Sequence, residues 1–155
     1  MAGKVDAQLK ILGIELPKAA PSLANYVPFI KTGNLVFVSG QMPMRDGTLQ
    51  SKGLVGHSIP VEEARAAAKQ CAINLIAQAK VACDGNLDCI KRVVKLTGFV
   101  ASGPDFTDHP KVVNGASDTM VEVFGDAGHH ARAAVGSSSL PLGASVEIEA
   151  IFEIA

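Results

Sequence analysis

The feature that most constrains the fold is a long helical pattern over residues 60–83. Small and apolar residues recur there at intervals of three and four, which is the spacing of one face of an α-helix. Ser58 can cap the N-terminus, the acidic pair at 62–63 suits the positive end of the helix dipole, and Gly85 follows the last turn. The sequence therefore predicts one long helix with one apolar stripe. That stripe consists of Val61, Ala64, Ala68, Cys71, Leu75 and Ala79.

Strand patterns and a second helix surround this element. β-Branched and aromatic residues predict strands at 35–38, 93–100, 131–136 and 145–154, and a helix at 110–124 ends at Gly125. Asp46-Gly47 is a tight-turn signal, so a short hairpin is expected near residues 48–50. In the last strand the apolar residues alternate with Glu147, Glu149 and Glu153, which indicates one buried and one polar face.

The element order predicts a single α+β domain over residues 1–155, with a mixed sheet and two helices packed on one face. Residues 1–25 combine charges with two prolines, and they are interpreted as an N-terminal extension holding a short helix and a loop. Two helices cover only one face of such a sheet. The apolar side chains on the other face are therefore expected to be buried by further subunits.

Composition limits which kinds of partner and which cellular compartment are expected. The net charge is −1, no run of Lys and Arg occurs, and the chain has one Tyr and no Trp, so a nucleic-acid partner is not expected. No signal peptide or stretch of about 20 apolar residues is found, so we expect a cytoplasmic protein without a membrane partner. The three cysteines show no CxxC spacing, and they are interpreted as buried thiols of a reducing compartment.

Arg132 and the glutamates of the last strand are the candidate reactive groups. Arg132 is either an exposed arginine at a strand end or a guanidinium that holds a carboxylate through two parallel hydrogen bonds. Glu147 and Glu149 either lie on a solvated sheet face or include a carboxylate that orients water or acts as an acid or base. Sequence spacing leaves both alternatives open.

Three further motifs have plain and functional interpretations. Ser39-Gly40 ends the first strand, and it forms an ordinary turn or offers a hydroxyl and N–H groups to a ligand carboxylate. His129-His130 would point to opposite faces of a strand and lacks a third ligand at a fitting spacing, so no metal site is predicted. No phosphate-binding loop, dinucleotide fingerprint or serine-hydrolase elbow is present, so no cofactor is expected.

Taken together, the segments resemble the Rid (YjgF-type, endoribonuclease L-PSP) family. The resemblance spans roughly residues 24–153, and the interval between Arg132 and Glu147 agrees with the family without a gap. The segments that carry it are Tyr26-Val27, GNLVFVSGQMP at 33–43, RVVKLTGFV at 92–100, Asn114, Ala131-Arg132, Leu140-Pro141 and VEIEAI at 146–151.

The resemblance implies a chorismate-mutase-like fold and a homotrimer whose sheets form a central barrel, with sites in the clefts between subunits. Archetypal members hydrolyse reactive enamines and imines such as 2-aminoacrylate to 2-keto acids and ammonia, without a cofactor. By this resemblance Arg132 would bind the carboxylate of a small metabolite, and Glu147 would position the attacking water. The residues implied to line the substrate pocket are Tyr26, Ser39, Gly40 and Asn114.

Three departures from the family pattern indicate a divergent, longer branch. Ala134 stands where the family has a cysteine two residues after the arginine. The segment 128–131, Gly-His-His-Ala, replaces a proline-containing approach to that arginine. Extra residues occur at the N-terminus and around 80–87.

Three functions remain in competition at this point: an imine or enamine deaminase, a non-catalytic trimer that binds or senses a carboxylate metabolite, and a ribonuclease. Retention of both Arg132 and Glu147 favours the deaminase, because binding alone needs the arginine but not a carboxylate that orients water.

Overall fold

The computed structural model describes residues 3–21 and 25–155. Within these residues a five-stranded sheet has the order β1-β2-β7-β5-β6, and a separate two-stranded hairpin is formed by β3 and β4. The pair β5–β6 is parallel and the other pairs of the large sheet are antiparallel, so the sheet is mixed. The elements are α1 (Lys4–Ile11), β1 (Phe29–Thr32), β2 (Leu35–Gln41), β3 (Met44–Arg45), β4 (Thr48–Leu49), α2 (Val61–Ala82), β5 (Ile90–Ala101), α3 (His109–Phe124), β6 (Ala131–Ser137) and β7 (Val146–Ile154).

The predicted α+β class with a mixed sheet is confirmed. Helices α2 and α3 pack side by side on one face of the sheet, where alternate residues of the strands are buried. The predicted strands, both of these helices and the β3–β4 hairpin are all present. Gly125 ends α3 with a positive φ of 63°, a backbone conformation that glycine adopts at low cost.

Two local predictions differ from the structure. Strand β1 is absent from the prediction; it pairs with β2 across the turn at Gly33-Asn34, and its Lys31 and Thr32 obscure any apolar pattern. The predicted Ser58 cap of α2 is wrong, because Pro60 is the N-cap residue of that helix, without a side-chain hydrogen bond. The extended backbone of Pro60 brings the chain into the helix instead.

Helix α1 confirms the short helix expected in the N-terminal segment, and it is docked onto the domain. Leu9 is only 5% exposed and belongs to the common core. The carboxylate of Asp88 accepts hydrogen bonds from the backbone N–H groups of Lys4 and Val5, each at 2.9 Å. These bonds lower the pKa of Asp88, and they satisfy two of the free N–H groups at the start of α1.

The expectation of three buried thiols is wrong for two of the cysteines. Cys83 and Cys89 form a disulfide that closes the loop after α2, with their Cα atoms 6.2 Å apart. Asp84 and Gly85 both have positive φ and turn the chain back, which brings Cys89 to the end of the helix. Only Cys71 is a free, buried thiol in the described part of the chain. A cytoplasmic location therefore stays a prediction.

The sheet face away from α2 and α3, called the open face here, carries exposed apolar side chains. Ile30 is 53% exposed, Phe37 is 42% exposed and Val135 is 44% exposed. Register places all three on the side that also carries Glu147. Among the helices of the described ranges, none is both long and apolar enough to cross a membrane.

Gly115 sets the distance between α2 and α3. A Cβ atom at this position would collide with the backbone carbonyl oxygen of Arg65 on α2. Glycine therefore allows the two helix backbones to approach closely, and the ion pair between Arg65 and Asp118 at 2.7 Å forms beside this crossing.

We expect Gly115→Ala to lower the free energy of unfolding by about 2 kcal/mol, as overpacking a close contact does, although alanine is the better helix former. Gly103→Ala is the matched control, because nothing lies within 4 Å of a Cβ atom there, and a change within about 0.5 kcal/mol is expected. Urea denaturation of both variants measures the difference. Equal stability of the two variants would contradict a backbone-limited crossing.

Candidate functional site

The six residues proposed for the site fall into two groups within one chain. Ser39, Gly40 and Glu147 lie together at the end of β2 and on the adjoining strand β7. Tyr26 lies before β1 and, with Ser39 and Gly40, borders the same cavity. Arg132 on β6 and Asn114 on α3 form the second group, and they are in direct contact.

A β-bulge shapes the first group. Val38 pairs with Ala150 and Gln41 pairs with Ile148, so Ser39 and Gly40 together stand opposite Glu149. The Ser39 hydroxyl donates to the carbonyl oxygen of Val27 at 2.7 Å. A Cβ atom on Gly40 would collide with the Glu147 carboxylate, so only glycine leaves that carboxylate its place.

Glu147 is a half-buried carboxylate with an altered acidity. Burial raises the pKa of Glu147, and the nearby charge of Glu149 raises it further. The buried thiol of Cys71 lies beneath the same strand, and its pKa is raised by burial and by the charge of Glu147. A carboxyl with a raised pKa both accepts and releases protons nearer to neutral pH, which suits a general base.

In the second group the Arg132 guanidinium is held on one side. Its Nη1 donates to the Asn114 Oδ1 at 2.7 Å and to the Ser117 Oγ at 3.2 Å. These two bonds use both hydrogens of Nη1. In the part of the chain that the structure describes, no acceptor occupies Nη2 or Nε. These two atoms form an edge with the geometry for binding both oxygens of a carboxylate.

Ser117 and His130 are not among the residues identified from the sequence, and both support Arg132. The carbonyl oxygen of Gly128 lies 2.6 Å from the His130 Nδ1, and since a carbonyl only accepts, Nδ1 carries the proton. The His130 Nε2 lies 2.9 Å from the Ser117 Oγ, and the Ser117 oxygen accepts from Arg132. Arg132, Ser117 and His130 are therefore joined by a continuous chain of hydrogen bonds.

A sequence signal for these two residues does exist. Ser117 follows Asn114 by three positions, which places both on one face of α3. His130 precedes Arg132 by two positions, the spacing of one side of a strand. The sequence interpretation considers the pair His129-His130 only as a metal site; His129 is exposed, whereas His130 is half-buried and supports the arginine. That no metal binds stays a prediction.

One chain does not bring the two groups together. Ser39 and Gly40 on β2 are three strand spacings from β6, about 14 Å, and Glu147 on β7 is two strand spacings from it, about 10 Å. The side chains also leave the sheet on different faces. Arg132 pairs with Leu96 on the face covered by the helices, whereas Glu147 pairs with Phe99 on the open face.

We expect Ser117→Ala to weaken the binding of a 2-keto acid, used as a carboxylate probe, by about five- to tenfold, because one hydrogen bond that orients Arg132 is lost. Ser117→Thr keeps the hydroxyl and serves as the matched control, with affinity expected within about twofold of wild type. Titration calorimetry measures both. Unchanged affinity in the alanine variant would show that Asn114 alone orients the arginine.

Comparisons with known proteins agree over nearly the whole chain. Residues 6–153 match the profile of the family described as "YjgF/chorismate_mutase-like, putative endoribonuclease". Protein TCP17 of Trypanosoma cruzi is 47% identical over 154 residues, covering 99% of this chain and 96% of that protein. The crystal structure of Atu1372 from Agrobacterium tumefaciens is 52% identical with a TM-score of 0.92, covering 97% of this chain and 92% of that one.

A more distant solved structure carries a ligand. TdcF of E. coli, solved with bound serine, is 25% identical with a TM-score of 0.62, and the match covers 89% of this chain and 94% of that one. Like the family profile, which matches residues 6–153, this structure matches most of the chain. On these grounds the chain belongs to the YjgF (Rid) family.

Proposed function

We propose that this protein is a Rid-type hydrolytic deaminase, which converts 2-imino acids and their enamine tautomers to 2-keto acids and ammonia. The observation that carries the proposal is the chemistry of the two groups. One offers a guanidinium edge for a carboxylate, and the other offers a half-buried Glu147 whose pKa is raised. A 2-imino acid presents a carboxylate and an electrophilic carbon on adjacent atoms, so it needs both groups.

The proposed reaction needs one water and no redox partner. An enamine first takes a proton from the solvent on its outer carbon, which gives the iminium form of the imine. Glu147 accepts a proton from water as the water oxygen bonds to the imine carbon, and this addition forms a carbinolamine. Glu147 then returns its proton to the nitrogen, the carbon–nitrogen bond breaks, and the hydroxyl proton leaves with the ammonia as ammonium while the carbonyl of the 2-keto acid forms. Arg132 holds the carboxylate throughout.

A homotrimer would complete the site, because a single chain keeps Arg132 and Glu147 apart. The apolar side chains of the open face favour burial against other copies, which is consistent with the central barrel implied for the family. In such an assembly Arg132 of one subunit would lie opposite Gly40 and Glu147 of the next. The substrate would then bind in the cleft between two subunits.

The relatives bear on the ligand more than on the reaction. TdcF has been solved with bound serine, an amino acid whose carboxylate is the group that Arg132 would bind here. The family description contains the term endoribonuclease, but this chain has a net charge of −1 and no run of basic residues to follow a phosphate backbone. A metabolite-binding trimer without catalysis would need the same arginine edge but no basic Glu147.

We expect Arg132→Lys to lose 2-keto acid binding nearly as fully as Arg132→Ala, with a loss on the order of 2–4 kcal/mol or roughly thirty- to several-hundred-fold. An ammonium offers a point charge and cannot replace two parallel donors. Titration calorimetry of a 2-keto acid into the three proteins gives the affinities. A lysine variant that binds as tightly as wild type would make Arg132 an ordinary surface charge.

Glu147→Gln separates catalysis from binding in the same assays. The amide keeps the shape of the side chain but cannot accept the proton of water, so binding is expected to persist while imine hydrolysis falls. In wild type, turnover is expected to fall as the pH drops through the raised pKa of Glu147, because the protonated acid no longer serves as a base. Unchanged turnover in the glutamine variant would favour a binding function.

We expect light scattering at micromolar concentration to give the mass of three 16.0 kDa chains. Phe37→Glu places a charge on the open face and should yield monomers. Val81→Glu is the matched control, since Val81 is an exposed apolar residue of α2 away from that face. A monomer mass for wild type would contradict both the trimer and the site between subunits.

A further inference from the structure

We propose that Cys83 and Cys89 form a reversible dithiol–disulfide site, and that its oxidation state decides how firmly helix α1 is docked on the domain. The inference goes beyond the proposed function, because it concerns the N-terminal helix and not the reaction. It starts from residues 84–88, called the disulfide loop here, which the bond closes between the end of α2 and the start of β5.

The disulfide loop has a backbone conformation that an open chain adopts only at a cost. Asp84 and Gly85 have φ angles of 53° and 91°, in the left-handed region that residues other than glycine rarely adopt. A covalent link across so short a loop removes many of the open conformations that the reduced chain would sample. The disulfide therefore favours the turned conformation, and reduction makes other conformations of the loop accessible.

The disulfide loop also carries the residue that holds the first turn of α1. The Asp88 carboxylate accepts hydrogen bonds from the backbone N–H groups of Lys4 and Val5. A Cβ atom at Gly3 would collide with the same carboxylate, so the loop and the start of α1 are in close contact. Helix α1 has eight residues, and an isolated helix of that length is marginal in water. Its stability therefore depends on contacts such as those of Asp88.

The other attachments of α1 are limited. In the described part of the chain two further side-chain contacts tie it to α2 and α3. The Lys80 Nζ lies 3.1 Å from the Asp6 carboxylate, and the Gln8 Nε2 donates to the carbonyl oxygen of Glu122 at 3.0 Å. Ion pairs with such exposure contribute little to stability, so the buried Leu9 is the main remaining anchor. Docking of α1 is therefore sensitive to the position of Asp88.

The cysteine pair lies where a thiol reagent can reach it. Cys89 is half-buried, and residues 84–86 of the loop are exposed. The buried Cys71 is different, because burial raises its pKa and keeps it an unreactive thiol. Disulfide exchange at the pair is therefore not complicated by a third reactive cysteine.

The reductant required is a dithiol. One thiolate of the dithiol attacks a sulfur of the pair and forms a mixed disulfide, and its second thiolate then releases the other cysteine. Two electrons and two protons pass from the dithiol to Cys83 and Cys89, which become two thiols. The dithiol itself becomes a disulfide. Oxidation of the pair is the same exchange in reverse.

The core of the domain does not depend on this bond. A chain of 155 residues is long enough to bury a core without a disulfide. The loop also keeps two attachments after reduction. Leu87 is only 1% exposed, and the carbonyl oxygen of Cys89 accepts from the N–H of Ala155 at 2.9 Å. Reduction is therefore expected to loosen α1 while the sheet, α2 and α3 stay folded.

The test compares hydrogen exchange of the α1 amides in oxidised wild type and in wild type reduced with dithiothreitol. Reduction is expected to accelerate exchange in α1 at least about tenfold, because the constraint on a short closed loop is lost. Residues 112–119 of α3 are the internal reference and should exchange equally in both states. Thiol titration of the denatured protein should give one thiol before reduction and three after it. Reoxidation should restore slow exchange.

Variants identify the link between the bond and the helix. The double variant Cys83→Ser, Cys89→Ser cannot form the bond, so its α1 should exchange at the fast rate with or without dithiothreitol. Asp88→Ala should give fast exchange in α1 although the disulfide is intact. Asp105→Ala is the matched control, because Asp105 is an exposed carboxylate outside the disulfide loop, and its exchange should equal that of wild type.

Three results would overturn the proposal. They are equal exchange of α1 in oxidised and reduced wild type, three thiols in wild type after oxidation, and slow exchange of α1 in oxidised Asp88→Ala. The first two measurements use wild type alone, so they decide the question even if a variant does not fold.

Discussion

The contact of α2 with the sheet is the interaction on which the remaining structure depends. Its small residues allow the helix to lie close to β7 and β2, and Gly115 of α3 completes the same close packing on its other side. From this fixed position Asn74 and Gln78 hold the β3–β4 hairpin and segment 17–21. The walls of the cavity at the end of β2 are therefore attached to one helix.

Much of the fold can be predicted from the sequence because its main elements have clear periodicity. The stripe on α2 and the alternation in β7 each depend on local spacing, and the structure confirms both. Strand β1 escapes prediction, since four residues that include Lys31 and Thr32 show no such pattern. The disulfide depends on positive φ angles at Asp84 and Gly85, and cysteine spacing alone does not reveal them.

The candidate site shows a different limit. Arg132 contacts Asn114 and Gly40 lies against Glu147, and the roles that the family resemblance implies for these four residues stay predictions. No local pattern, however, states that the two groups leave the sheet on opposite faces. The roles of Ser117 and His130 also depend on how α3 packs against β6, and this is decided by tertiary structure. The sequence therefore identifies candidate residues more readily than it predicts their positions in the folded chain.

The bulge at Gly40 also limits how this branch of the family can diverge. The Glu147 carboxylate occupies the space that a side chain at position 40 would need. The residues at these two positions therefore cannot change independently. A lineage that gains any side chain at 40 must therefore also move or shorten the residue at 147.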